Sequence, residues 1–429
     1  MKRYETYKDS GIQWWEEIPT HWDLKKAKHI FSLVTENVSD SSLPKIALEN
    51  IESWTGKYIE TNSDFMGEGV EFKKDDILFG KLRPYLAKVY KAEFAGQAVG
   101  DIYVFRGNEE QNPEYLKYLL LSYPFISVVD GSTYGAKMPR ANWDFISHLV
   151  LPCPPKTEQV TIAAFLDHKV GQIDATIAEK EQMLEDLKNY RSAIISEAVT
   201  KGLDKNVEMK DSGIEWLGMI PKHWGLVKLK NKAKVNGRIG FRGYTTADLV
   251  PKGQGAYTIG GKHITNCVID LSNPDFISWN KYYESPEIMV KKGDILMAQR
   301  GSLGKAALVR EDIGDATINP SLVLLNSIAM NEVFLYYYLV SSSCLAYIDL
   351  LNTATAVPMI SQNQIENIFV PIPSGKEQIQ IADYLDRKTK EIDETTIMVS
   401  TQISDLKSYK SALITEAVTG KIDLREWKP

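Results

Sequence analysis

Two short, donor-rich loops carry the side chains best suited to recognition chemistry in this 429-residue chain. In the first, Gly80-Lys81-Leu82-Arg83 follows the apolar run Asp76-Ile77-Leu78-Phe79. In the second, Gln299-Arg300-Gly301-Ser302-Leu303-Gly304-Lys305 follows Asp294-Ile295-Leu296-Met297, at an offset of 218. Further along, each stretch has another polar loop, Gly131-Ser132-Thr133-Tyr134-Gly135-Ala136-Lys137-Met138-Pro139-Arg140 and Asn352-Thr353-Ala354-Thr355-Ala356-Val357-Pro358-Met359. Covalent chemistry finds less support. There is no Asx-Pro-Pro-aromatic tetrapeptide of an amino-methyltransferase, no Gly-Lys followed by Ser or Thr to cradle a phosphate, and no Gly-x-Ser-x-Gly elbow. The six histidines (His21, His29, His148, His168, His223, His263) lack metal-ligand spacing. His21 and His223 each precede a tryptophan in equivalent places, which fits a core or capping role. Asp23-Leu24-Lys25, Asp186-Leu187-Lys188 and Asp405-Leu406-Lys407 imitate the end of a nuclease motif but read as solvated charge. The expectation is a chain that is not an enzyme on its own.

The elements that position these loops come from an internal duplication. Glu158 to Asp204 aligns without a gap on Glu377 to Asp423 at an offset of 219, and 22 of the 47 pairs are identical, too many for chance. A second pair of copies lies at an offset of 202. Asp9-Ser10-Gly11-Ile12-Gln13-Trp14 through Ile18-Pro19-Thr20-His21-Trp22 recurs as Asp211-Ser212-Gly213-Ile214-Glu215-Trp216 through Ile220-Pro221-Lys222-His223-Trp224. The long stretches between the copies are mostly unlike each other. Two similar frames holding two dissimilar inserts imply one scaffold with two different reading heads.

The repeated segment has helical periodicity. Ile162, Leu166, Val170, Ile173, Ile177, Leu184, Leu187, Ile194 and Ala198 fall in steps of threes and fours or their sums. Ile381, Leu385, Ile392, Ile403, Leu406, Leu413 and Ala417 repeat the pattern. Prolines bracket both starts: Pro152, Pro154 and Pro155, then Pro371 and Pro373. Ser374 and Glu377 form a capping box for the second helix, and Thr157 is the expected cap of the first. Each helix should run about 43 residues, roughly 65 Å at the rise of an α-helix. Gly171 should weaken the first by about 1 kcal/mol relative to alanine. A single narrow seam cannot bury itself, so the two copies are expected to pair as an antiparallel coiled coil.

The inserts, roughly 23–150 and 225–370, read as mixed α/β with short helices around Pro113–Tyr123 and Asn331–Ser341. The expected division is a first insert domain over 1–150 with frame segment 9–22, and a central helix over 151–204. A second insert domain over 205–370, with frame segment 211–224, and a C-terminal helix over 371–429 follow. Because the Trp-rich segment opens the chain, it can pack where a third repeat would begin, giving a pseudo-twofold circular arrangement.

Composition is ordinary for a globular chain, 44% hydrophobic and 25% charged, with no transmembrane run and no signal-peptide core after Met1. Cys153, Cys267 and Cys344 are far apart, which suits isolated thiols in a reducing cytoplasm. The net charge of −6 and pI near 5.7 argue by themselves against a nucleic-acid partner. The charge is unevenly spread, however. Lys222, Lys228, Lys230, Lys232, Lys234, Arg238 and Arg242 form a run without an acidic residue, either a binding surface or a solvated edge strand.

Taken together, the Glu-Gln, Leu-Asp, Ile-Asp, Leu-Lys, Tyr, Ser-Ala and Glu-Ala-Val-Thr positions of both helices, the Asp-Ser-Gly-Ile to Ile-Pro-x-His-Trp segments and the Asp-Ile-Leu strands make the chain resemble the specificity subunit of a type I restriction-modification system. The match covers essentially the full length. The resemblance implies two globular target recognition domains joined by two long antiparallel helices. It implies double-stranded DNA, two methyltransferase subunits and restriction subunits as partners, and no membrane. It also implies that S-adenosylmethionine, ATP and Mg belong to those partner subunits, with no cofactor here. Each recognition domain would read one half of a bipartite, non-palindromic site and the helices would fix the spacing. On that basis the expected DNA contacts are Lys81, Arg83, Tyr85, Lys88, Lys137 and Arg140 in the first insert. In the second they are Gln299, Arg300, Ser302, Lys305, Thr353 and Thr355. The competing readings are a stand-alone two-headed DNA-binding protein without methyltransferase partners, and a coiled-coil adaptor whose inserts bind proteins. A self-sufficient nuclease or methyltransferase is disfavoured by the missing motifs.

Overall fold

Both periodic segments fold as single helices, Lys156–Lys201 and Gly375–Val418. The computed structural model describes residues 2–38, 43–61, 68–133, 137–238, 240, 243–265, 267–352 and 357–428. The chain divides into two compact units. One comprises Met1–Gln182 with Val399–Pro429, the other Met183–Met398, so each unit takes part of both long helices. Among the described residues, no single helix is long and apolar enough to cross a membrane.

Within each unit the helix segments run antiparallel, and the conserved chemistry of the repeat explains itself. In the first unit Asp174 accepts from Lys410 at 2.8 Å; in the second Asp393 accepts from Arg191 at 3.2 Å, the same pair with the copies exchanged. Lys407–Glu181 and Lys180–Gln402 add to the first. The expected seam is buried: Leu166 and Leu385 are fully covered, while Leu184, Leu187 and Leu406 are half-buried. The other repeated pairs tie each insert to its helix. Gln159 and Gln378 accept from the backbone N–H groups of Asn112 and Asn331, which cap the helices Pro113–Leu121 and Glu332–Leu339. Asp167 and Asp386 accept from the hydroxyls of Tyr118 and Tyr337 at 2.8 and 2.7 Å. Each of these short helices continues, after a break, into a second one, Tyr123–Gly131 and Ser342–Leu351, which periodicity did not separate.

Gly171 sits inside the first helix, and a β-carbon built on it meets nothing within 4 Å. Gly171→Ala should therefore stabilise the chain by about 0.5–1 kcal/mol, read as a higher thermal midpoint; an unchanged or lower midpoint would refute this.

Each insert is built on a four-stranded antiparallel sheet of the same order. In the first unit the strands are Phe31–Val34, Ile102–Gly107, Ile77–Gly80 and Val89–Lys91; in the second, Lys234–Gly237, Leu322–Asn326, Ile295–Ala298 and Ala306–Leu308. Among the described residues the accompanying sheet differs, with four strands in the first unit and three in the second. The shared sheets bury Leu78, Val104, Leu296 and Leu324. A final two-stranded pairing, Asp23–Lys26 with Val150–Cys153 and Gly225–Lys228 with Phe369–Ile372, leads into each long helix.

The first helix begins at Lys156, one residue before the expected cap Thr157, which therefore lies inside the helix. The carbonyl of Pro155 accepts from the N–H groups of Glu158 and Gln159 instead. The Ser374–Glu377 capping box forms as expected. The chain ends meet in the first unit, where the Asp423 N–H donates to the Lys2 carbonyl and the Tyr7 hydroxyl to that of Gly420.

Candidate nucleic-acid interface

The two loops singled out in each insert are brought together by backbone hydrogen bonds, in the same way twice. In the first insert Arg83 N–H donates to Pro139 O at 2.8 Å and Ala141 N–H to Lys81 O at 2.8 Å. In the second, Gly301 N–H donates to Pro358 O at 2.8 Å and Ile360 N–H to Gln299 O at 2.9 Å. The central strand of the shared sheet, Ile77–Gly80 or Ile295–Ala298, thus delivers one loop, and the segment before the last strand clamps it. A rigid sheet presenting a paired loop is what a base-reading surface needs.

The expected contact residues sort into two groups. Arg83, Tyr85, Lys137, Arg300, Ser302 and Lys305 are exposed. The Arg300 guanidinium donates to the Met359 sulfur at 3.4 Å. Arg140, exposed as well, and the remaining described ones are engaged within the fold. Arg140 makes a two-point contact with Asp101 at 3.1 and 2.9 Å, and Lys81 lies 3.8 Å from the same carboxylate and over the Tyr103 ring. The Arg140 hydrogen bonds hold the Asp101 carboxyl below its usual range. Lys88 donates to Leu48 O, and burial lowers the pKa of its ammonium. Gln299 commits its amide nitrogen to the carbonyls of Pro320 and Leu322, leaving its oxygen as the group open to a further partner. Tyr134 to Ala136 of the first insert's second loop, and Thr353 and Thr355, lie outside the described residues.

The basic run is not one surface. Lys230 and Lys234 are exposed, Lys234 in the edge strand, and Lys222 pairs with Glu208. Arg238, by contrast, is buried and donates to Ile318 O and Thr317 Oγ1. Arg242 lies outside the described residues.

Trp54 and Tyr123 were not evident from the sequence. Trp54 donates its backbone N–H to Ala87 O at 3.2 Å and its indole N–H to Tyr85 O at 3.1 Å, and stacks on the exposed Tyr123. Thirty residues separate Trp54 from the loop it supports, and the only local signal is the turn glycine Gly56. Trp54, Arg83 and Ala87 all adopt positive φ, at 63°, 52° and 45°. Left-handed conformations at non-glycine residues cost about 1–3 kcal/mol each and persist where the surroundings enforce them.

Behind the loops, the two histidines of the frame hold the starts of the long helices. His21 Nε2 lies 2.6 Å from Glu158, whose other oxygen accepts from the Tyr4 hydroxyl and the Trp22 indole. His223 and Trp224 also meet Glu377, here on one shared oxygen, while the other accepts from the Ser374 N–H. This is a capping role, as their placement suggested. Partial burial pushes the Glu377 carboxyl up, but hydrogen bonds from His223, Ser374 and Trp224 outweigh it and hold its pKa at about 2. A carboxyl depressed in the folded state contributes stability above its unfolded pKa, about 4.3, and loses it as pH falls towards 2. The stability gap between the parent chain and Glu377→Gln, measured by urea unfolding, should therefore narrow as pH is lowered from about 5 to about 2. A constant gap would contradict the linkage.

Residues 23–188 and 268–400 match the family model for the type I restriction modification DNA specificity domain. The type I restriction enzyme EcoBI specificity subunit of Escherichia coli is 24% identical over 377 residues, 84% of this chain and 76% of the relative. The putative type I restriction enzyme MjaX specificity subunit of Methanocaldococcus jannaschii is 23% identical, with 98% of each chain covered. Among solved structures, a chain determined for the complex assembly and conformational transition of the type I R-M system aligns with a TM-score of 0.75 at 17% identity, over 94% of this chain and 99% of its own. The HsdS subunit from Thermoanaerobacter tengcongensis aligns with a TM-score of 0.54 at 18% identity, over 94% and 98%. These structural likenesses establish the fold.

Proposed function

Because this chain belongs to the family of type I restriction modification DNA specificity domains, and is a specificity subunit rather than a catalyst, we propose that each insert reads one half of a bipartite, non-palindromic DNA site. The observation that carries this is the repeated loop clamp with unlike side chains: Arg83 and Tyr85 stand in one copy, Arg300, Ser302 and Lys305 in the other. Identical framing with different donors supports two different base sequences on one scaffold. The paired helices set the spacing of the half-sites and dock methyltransferase and restriction subunits. Those partners hold S-adenosylmethionine, ATP and Mg, and the assembly works on double-stranded DNA in the cytoplasm.

The acidic net charge of −6 fits a chain whose partners supply much of the phosphate-binding surface. The test is single-molecule methylation sequencing of the host genome with the gene present and deleted. Loss of a bipartite N6-methyladenine motif on deletion is expected. An unchanged methylation pattern in a host whose partner subunits are active would overturn the proposal. Tight, salt-dependent and sequence-specific binding by the chain alone would instead favour a two-headed DNA-binding protein that needs no partners.

A further inference from the structure

The duplication supplies an internal comparison for the loop that follows the central strand. Three residues beyond that strand, the second insert has Gly301 at φ +81°; two residues before the next strand it has Gly304 at φ +74°. Counted the same way, the first insert has Arg83 and Ala87, both left-handed. The two left-handed positions recur, four residues apart in the first copy and three in the second, but the first copy carries strained side chains where the second has the residue that adopts this backbone freely. Ala87 is buried and packs inward. Arg83 is exposed, and its guanidinium makes no side-chain hydrogen bond or ion pair among the described residues, unlike Arg140 beside it. Among the described residues no side-chain partner rewards an arginine there. Strain held at an exposed, unpaired side chain is a mark of function.

The backbone beneath is fixed. Arg83 N–H is tied to Pro139, Pro84 follows it, and Trp54 holds the carbonyls of Tyr85 and Ala87. A planar fork of donors on a rigid turn matches the O6 and N7 acceptors of guanine in the major groove. We infer that Arg83 is a specificity-determining residue of the first insert, reading a guanine in one half-site. This rests on the DNA-reading function proposed above.

The experiment expresses the chain together with its methyltransferase partner in a methylation-free host. It compares the parent with Arg83→Gly and Arg83→Lys by methylation sequencing, and measures the thermal midpoint of each purified complex. For Arg83→Gly the inference expects at least a tenfold loss of methylation at the full motif, or relaxation at a single G·C pair confined to one half. It expects the midpoint to hold or rise, because glycine relieves the turn. Arg83→Lys should lose discrimination at the same pair, since an ammonium lacks the fork. An Arg83→Gly complex with the parental motif and extent of methylation would overturn the inference, as would a lowered midpoint, which would make the arginine a structural residue. If the parent directs no motif at all, the DNA-reading function itself fails, and the role of Arg83 with it.

Discussion

Replacing Trp22 by alanine is expected to remove about 3–5 kcal/mol of stability, as large aromatic truncations in a core do. Trp22 is fully buried, sits edge-on to Tyr4 at 6.0 Å and donates its indole N–H to Glu158 at 3.1 Å. Gly420 approaches so closely that a β-carbon there would lie 3.0 Å from the indole ring. The space left by the ring is bounded by backbone on that side, so it closes poorly. The substitution also withdraws one of the donors to the carboxylate at the start of the first long helix. Trp22→Phe, which keeps most of the volume but not the N–H, should cost only about 1–3 kcal/mol. Trp14, from the same segment, is 38% exposed, and its alanine variant should stay below about 1 kcal/mol. Urea unfolding of the three variants checks the ranking, and a Trp22→Ala loss no larger than that of Trp14→Ala would show that the frame does not depend on this contact.

Arg300→Ala should weaken recognition of one half-site by about 1–3 kcal/mol while leaving stability within about 0.5 kcal/mol. Its side chain is exposed and, among the described residues, hydrogen-bonds the Met359 sulfur alone, so the fold loses little. The loop itself is held by backbone bonds from Gly301 and Ile360, which alanine retains. Lys305→Ala offers a contrast: a lysine on phosphate should weaken binding uniformly across sequences and reduce the salt slope by about one. Competition between oligonucleotides altered in one half-site or the other, measured on the assembled methyltransferase complex, separates the two behaviours. Unchanged affinity together with unchanged site preference in Arg300→Ala would sink its assignment as a base contact.

Much of this architecture was legible because local and repeated signals agree. The seam from Ile162 to Ala198, the Ser374–Glu377 box and the Asp-Ile-Leu strands all depend on residues close in sequence, and all appear where the pattern placed them. Thr157 was misplaced as a cap because Pro155 already occupies the preceding turn and its carbonyl takes the first helical N–H groups. The recognition surface was legible only as a set of loops. Whether Lys81 and Arg140 have their donors already engaged depends on Asp101, some 20 to 40 residues away, and Lys88 depends on the carbonyl of Leu48. Arg238 looked like part of a basic stripe until its partners Thr317 and Ile318 were in place. Such pairings are tertiary, and no periodicity encodes them.

The way the chain is divided between its units bears on the order in which they are made. The second unit is one continuous stretch, Met183–Met398, whereas the first needs Met1–Gln182 and then Val399–Pro429. During synthesis the usual order, in which the N-terminal domain folds first, is therefore reversed at the last step. The later-made unit has all of its residues before Val399–Pro429 are translated. The earlier-made one must wait with the seam around Ile173 and Ile177 uncovered until Ile403 and Leu413 arrive. A stop codon near residue 398 would thus leave the Met183–Met398 unit able to fold and the first unit exposed to aggregation.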